Sequence, residues 1–300
     1  MSHDRAHPPH IACMSCYFPL FPCFTHSFPS SSGQQSRIIS TNLLFVNSPG
    51  NQTSKSSELS HLIKPAYLHV YSLNSSMWSL VETIKCEVGE SRVMSASSYE
   101  PSSFVVMVPS FVSNSSKETR YLPDPCSRKL DLAPVSERVS YQFEYGRSVA
   151  CYQGEYPAAM AQRCNGSFLS FDSLRADKNP SECMTYCYFL NLFTDAENAS
   201  SHQISVLNPN TKKTVAQISV KTNSANLTNI TQIAPSLADD LHLLVSKSAS
   251  FIPVFLNIST NPEHDEIDVE HTHPPHEMLW GSSKFELISS LKSSWGAYID

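Results

Sequence analysis

Glycine is scarce, with eight residues in a chain of 300. Loops that cradle phosphate need glycines so that the backbone can approach the ligand. No Gly-rich phosphate loop occurs, and no Gly-x-Ser-x-Gly nucleophile elbow. Charge is scarce too: Asp, Glu, Lys and Arg make up 16% of the chain, against roughly 25% in an average soluble domain. The formal net charge is -6, and no stripe of Lys and Arg is present. That composition disfavours nucleic acid as a partner, because phosphate neutralisation needs clustered cations. No apolar run approaches the roughly 18 residues that a bilayer span requires, and no internal repeat is visible.

A surface this poor in charge needs another source of solubility, and attached glycans supply one. The Asn-x-Ser/Thr acceptor pattern occurs at Asn51, Asn74, Asn114, Asn165, Asn198, Asn226, Asn229 and Asn257. A random chain with 16 Asn and 65 Ser or Thr in 300 residues would carry about 3.5 such sequons. The excess points to a secreted or lumenal glycoprotein.

Nine cysteines are present, three of them within the first 23 residues. The other six, Cys86, Cys126, Cys151, Cys164, Cys183 and Cys187, form an even set. An even set in a lumenal chain predicts structural disulfides, and its pairing cannot be deduced from spacing. The Cys183-x-x-x-Cys187 interval is too wide for a redox Cys-x-x-Cys motif.

Residues 1–33 differ from the rest. The apolar run Ile11 to Phe24 follows His and Arg residues and precedes Ser30 to Ser32, the outline of a short secretory signal. Pro19, Pro22 and the cysteines fit that outline poorly, so a mispredicted start is the alternative. The fold is therefore sought in residues 34–300, read as one β-rich lumenal domain.

Period-2 alternation marks that body. Val139, Tyr141, Phe143 and Tyr145 alternate with Ser140, Gln142 and Glu144; Ala216, Ile218 and Val220 alternate with Gln217 and Ser219. Leu68 and Val70 alternate with His69 and Tyr71. Such alternation is the signature of half-buried strands. Further strands are expected over Phe104 to Val108, Thr185 to Phe193, Leu241 to Val245 and Phe251 to Leu256. A hairpin is expected around Asn208-Pro209-Asn210. Many short strands punctuated by Pro, Asn and Ser turns predict an antiparallel β-sandwich, stapled by disulfides and N-glycosylated. Near the end, Phe285, Ile288 and Trp295 suggest one helix face.

The densest cluster of potential metal ligands is Glu263 to Glu277. Within it, His271-x-His273-x-x-His276 has the outline of the His-x-His-x-Asp-His zinc signature of metallo-β-lactamase-like hydrolases. Pro275 stands where that signature has Asp, and an acidic stretch precedes it in place of an apolar strand. A surface or structural turn held by Pro274 and Pro275 is the competing reading. Serines number 51 and histidines 12, so any Ser-His-Asp triad chosen from sequence would be arbitrary. No catalytic residue and no cofactor are expected.

Two stretches resemble the glycosylated lysosomal membrane protein family. One is Asn47-Ser-Pro-Gly-Asn51-Gln-Thr followed by Tyr67-Leu-His-Val-Tyr-Ser-Leu-Asn-Ser-Ser-Met-Trp78. The other is Ile267-Asp-Val-Glu-His-Thr-His-Pro followed by Met278-Leu-Trp-Gly-Ser-Ser283. Val269 departs from the second Asp of the family's acidic turn. The resemblance makes Asp268, Glu270, His271, Trp280 and Gly281 one structural motif. It implies a type I lysosomal membrane protein whose β-rich lumenal domain binds a lysosomal major-facilitator dipeptide transporter and shields it from proteolysis. It also implies further lumenal sequence, a transmembrane helix and a Tyr-bearing tail beyond Asp300. Two other readings remain open: a secreted adhesion or receptor ectodomain, and a zinc-dependent hydrolase using His271, His273 and His276.

Overall fold

The computed structural model describes residues 17–18, 21–23, 25–28, 37–47, 64–99, 104–122, 139–153, 156–157, 168–170, 183–198, 200–208, 210–224, 226–233, 243–246, 251–259, 261, 266–271, 278–280 and 285–287. In chain order the first strands are β1 (Tyr17–Phe18), β2 (Phe21–Cys23), β3 (Thr25–Phe28), β4 (Arg37–Val46), β5 (Ala66–Asn74), β6 (Met77–Cys86), β7 (Ser91–Ser95), β8 (Val105–Ser110) and β9 (Glu118–Thr119). Then come β10 (Val139–Tyr145), β11 (Ser148–Gln153), β12 (Tyr156–Pro157), β13 (Phe168–Ser170), β14 (Cys183–Leu190), β15 (Ser201–Asn208) and β16 (Lys213–Lys221). The last are β17 (Asn226–Asn229), β18 (Leu243–Ser246), β19 (Ile252–Ser259), β20 (Ile267–His271), β21 (Met278–Trp280) and β22 (Phe285–Leu287). A single helical turn, α1 (Ile230–Ile233), follows β17 directly.

Every strand pair is antiparallel, as the mainly β reading expects. Two five-stranded sheets dominate the amino-terminal half. One has the order β2-β8-β5-β6-β9; the other has β11-β10-β4-β3, with β7 also paired to β4. Two four-stranded sheets, β17-β14-β19-β20 and β13-β18-β15-β16, form the carboxy-terminal half.

The alternation read from the sequence sets these faces. On β10, Phe143 and Tyr145 are buried while Glu144 is exposed; on β16, Ile218 and Val220 are buried while Gln217 and Ser219 are exposed. The expected hairpin joins β15 to β16. There the Asn208 side-chain oxygen accepts from the amides of Asn210 and Thr211 at 2.9 and 3.0 Å, an Asx turn of the kind that makes Asn a turn former.

The sheet β17-β14-β19-β20 is buried on both faces. Cys187 and Phe255 lie opposite one another and point into a cluster with Ile204, Val206, Ile218, Val220 and Leu244 from the neighbouring sheet and with Phe251, which precedes β19. One residue on, Tyr188 and Val254 face the other way, into the large core shared with Leu43, Phe45, Leu68, Val70, Trp78 and Val105 to Val108. Two-sided burial explains why Cys183-Met-Thr-Tyr-Cys-Tyr-Phe-Leu190 shows no polar alternation.

Four expectations are corrected. First, Cys86, Cys151 and Cys187 are free thiols, so the disulfide staple is not found at these positions. Cys86 belongs to the large core and Cys187 to the smaller one. Cys183 and Cys187 share β14, and four residues of strand separate Cα atoms by about 13 Å, beyond the roughly 7 Å a disulfide can bridge. Counting cysteines carries no information on such placement. Cys126 and Cys164 lie outside the described residues. Second, part of the segment set apart at the amino terminus is paired: β2 adds to β8 and β3 to β4. Third, Phe285 lies in β22, paired with β21, and not on a helix; Ile288 and Trp295 lie outside the described residues. Fourth, Ile267 to His271 is a strand at the edge of a sheet and not an acidic turn, because its alternate residues Ile267 and Val269 pack onto the large core.

Candidate functional site: the glycan acceptors

Asn74 sits at the tip of the β5–β6 hairpin. It pairs with Met77 across a two-residue turn, Ser75-Ser76, in which Ser75 takes a φ of 55°. Two-residue hairpins require this left-handed conformation, and Asn74 beside the turn is exposed.

Asn114 lies in the crossover from β8 to β9, which runs across β5 and β6 to the far edge of the sheet. Contacts from β5, β6 and Lys64 hold that crossover down. The His69 ring donates from Nε2 to the Val112 carbonyl at 2.9 Å, and its Nδ1 meets the Thr83 hydroxyl at 3.0 Å. A carbonyl cannot donate, so Nε2 carries the hydrogen and Nδ1 of the neutral ring accepts from Thr83. Burial lowers the His69 pKa, and the Val112 bond opposes this in part. The Tyr71 hydroxyl bonds the Ser115 hydroxyl, and burial raises its pKa. The Leu80 amide donates to the Lys117 carbonyl at 2.7 Å. Lys64 Nζ stands 4.6 Å from the centre of the Phe111 ring. Asn114 itself remains exposed.

Asn198 follows a segment clipped to residues 120–122. Arg120 donates two parallel bonds to the Asp195 carboxylate at 2.9 and 3.0 Å and reaches Glu197 at 2.6 Å. Hydrogen bonding to Asp195 raises the Arg120 pKa, and the same bond lowers that of Asp195. The Ser200 hydroxyl of the sequon donates to the half-buried Asn198 side chain.

The remaining described acceptors are held within the fold. Asn257 Oδ1 accepts from the buried Thr185 hydroxyl at 2.7 Å, across the β14–β19 pair. Asn229 Oδ1 caps α1 by accepting from the Gln232 amide at 3.0 Å, and its Nδ2 donates to Met184 Sδ at 3.5 Å. Asn226 is the most engaged: its Nδ2 donates to the carbonyls of Lys221, Ser224 and Phe189 at 2.7, 3.0 and 3.4 Å, and its Oδ1 accepts from the Lys221 amide at 2.7 Å. Asn51 and Asn165 lie outside the described residues.

Asp268 is exposed and stands opposite Asn257 on β20. Glu270 and His271 are in the same strand, opposite Phe255 and Val254. Trp280 ends β21, opposite Phe285. Gly281, His273 and His276 lie outside the described residues; among the described residues, no group of three His, Cys, Asp or Glu side chains could hold a metal ion. Sequence reading missed His69 and Tyr71 as anchors of the crossover, and Arg120 and Asp195 as a clip. The alternation around Leu68 announced a strand, but nothing in it told that a later loop would cover its polar side.

Neither the models of known protein families nor the curated proteins give a match to this chain.

Proposed function

We propose that the chain is a non-enzymatic glycoprotein domain of the secretory and lysosomal lumen, which acts by binding and shielding a partner. The observation that carries this reading is the placement of Asn74 and Asn114, one at a hairpin tip and one on a pinned crossover, both exposed. Glycans are bulky and hydrophilic, so acceptors must face water. A shield of this kind works by denying proteases access to backbone, and a fold with rigid sheets and glycosylated loops suits that task. The resemblance to the glycosylated lysosomal membrane proteins supports a lysosomal major-facilitator dipeptide transporter as the partner class. Cys86 and Cys187 are fully buried, and burial raises both pKa values, which keeps the reactive thiolate scarce. Co-expression with such a transporter tests the role. The transporter's half-life in lysosomes should lengthen when this chain is present, and an unchanged half-life with no co-purification would reject the accessory role.

A further inference from the structure

Resting on the glycoprotein reading, we infer that the fold divides the sequons by function: Asn74 and Asn114 carry glycans, whereas Asn226 is a structural amide that stays unmodified in every folded molecule.

Transfer of an N-glycan has a simple balance. The Asn Nδ2 attacks the anomeric carbon of a lipid-diphosphate-linked oligosaccharide. A C–N bond forms and the anomeric C–O bond breaks. The lipid diphosphate leaves with the electron pair, and one Nδ2 proton goes to solvent. The modified nitrogen keeps a single hydrogen and gains a sugar ring.

Asn226 cannot absorb that change. It locks the turn from β16 to β17, a turn that also contains Asn223 at a φ of 54°. Its side chain pairs with Lys221 as a strand residue would, accepting from the Lys221 amide and donating to the Lys221 carbonyl, both at 2.7 Å. The second Nδ2 hydrogen lies towards the Ser224 carbonyl at 3.0 Å, with the Phe189 carbonyl of β14 at 3.4 Å. Two hydrogens thus serve three carbonyls. A sugar on Nδ2 would remove one donor and occupy the space these carbonyls enclose, separating β17 from β14 and β16. Transfer acts on unfolded chain, so a glycan at Asn226 keeps this turn from closing, and only unmodified chains complete the carboxy-terminal sheets.

Asn74 and Asn114 have the opposite character. Both are exposed, and neither side-chain amide is held by a hydrogen bond among the described residues. Asn74 is three residues, about 10 Å of strand, beyond Tyr71 on β5, and Tyr71 bonds Ser115, the neighbour of Asn114; both acceptors therefore belong to the sheet β2-β8-β5-β6-β9 and its crossover.

Releasing the glycans enzymatically in heavy-oxygen water from the full chain, secreted and folded, marks each occupied Asn as a heavy Asp. Mass spectrometry of its peptides should find the label at Asn74 and Asn114 and none at Asn226. Label at Asn226 in folded protein overturns the division while leaving the glycoprotein reading intact; label at no sequon overturns both. Two variants read the structural role separately. Thr228→Val abolishes the Asn226 sequon and keeps the amide, so mass and Tm should not change; a loss of one glycan's mass would overturn the inference. Asn226→Gln displaces the amide, so in enzymatically deglycosylated protein it should lower the Tm by several degrees and open the 221–226 turn to proteolysis. An unchanged Tm there would also overturn it.

Discussion

The indole N–H of Trp78 donates to the carbonyl of Thr194 at 2.8 Å, a buried bond between residues 116 positions apart. It joins β6 to the segment that carries Asn198, beside the Arg120–Asp195 clip and the paired backbones of Tyr121 and Asp195. Trp78 is wholly buried in the large core. The contact therefore couples the amino-terminal sheets to the carboxy-terminal ones through both packing and polarity. Trp78→Phe should keep most of the packing but remove one of two donors to the Thr194 carbonyl, which still accepts from the Leu122 amide at 3.0 Å, at a cost of about 0.5–1.5 kcal/mol. Trp78→Ala should cost about 3–5 kcal/mol. Urea denaturation measures both; equal stability of Trp78→Phe and the parent would show that the bond contributes nothing.

The clip makes a separate prediction. Arg120 and Asp195 form a bidentate pair at the protein surface, where solvent screens the interaction. Single substitutions Arg120→Ala and Asp195→Asn should be mildly destabilising, and the double variant should be less destabilised than their sum. That coupling should shrink in 1 M salt, where the Debye length is about 3 Å. Strict additivity of the two substitutions at low salt would argue against a working pair.

Stability should fall on acidification. Burial lowers the pKa of His26, His69 and His202 from the ordinary 6.5. Below pH 6.5 the unfolded chain binds protons that the folded chain does not, so unfolding becomes easier as pH drops towards the folded pKa values. Asp195 acts in the same direction at lower pH. Its pKa is lowered from 3.8, mainly by Arg120, so its contribution is present above 3.8 and is lost as pH falls through the folded value. Tm measured from pH 7.5 to 4.5 should decline below 6.5, and His69→Gln should flatten part of that slope. A Tm that rises on acidification would contradict the assignment of His69 as a buried neutral ring.

Thiol accessibility follows from placement. Cys151 is exposed, whereas Cys86 and Cys187 are buried. Alkylation of native protein without reduction should label Cys151 quickly and leave Cys86 and Cys187 untouched until denaturant is added. Native protein in which Cys86 or Cys187 resists alkylation even after unfolding would reveal a disulfide that this fold does not contain.

The sheets were readable because their strands carry alternating or continuous apolar residues that report burial directly. β10, β16 and the Asn208 turn are examples in which local sequence and final environment agree. β6 was harder. Its residues Val81 and Thr83 face outward while Trp78 and Cys86 are buried, and a register irregularity opposite Val70 and Tyr71 breaks the period-2 pattern a reader looks for. Contacts between distant segments, such as Trp78 with Thr194, leave no mark in either segment alone. The sequons were visible as a pattern, but their division was not. Asn226 and Asn74 have the same motif, and only the positions of the Lys221, Ser224 and Phe189 carbonyls distinguish them.

The central claim is that this chain is a glycoprotein of the secretory pathway. Its most direct test is the apparent mass of the full chain, expressed through that pathway, before and after treatment with an N-glycan-removing amidase. The account predicts a fall in mass of at least two glycans, with Asn74→Gln and Asn114→Gln each removing one step. A band of unchanged mass, from chain that has entered the lumen, would contradict it.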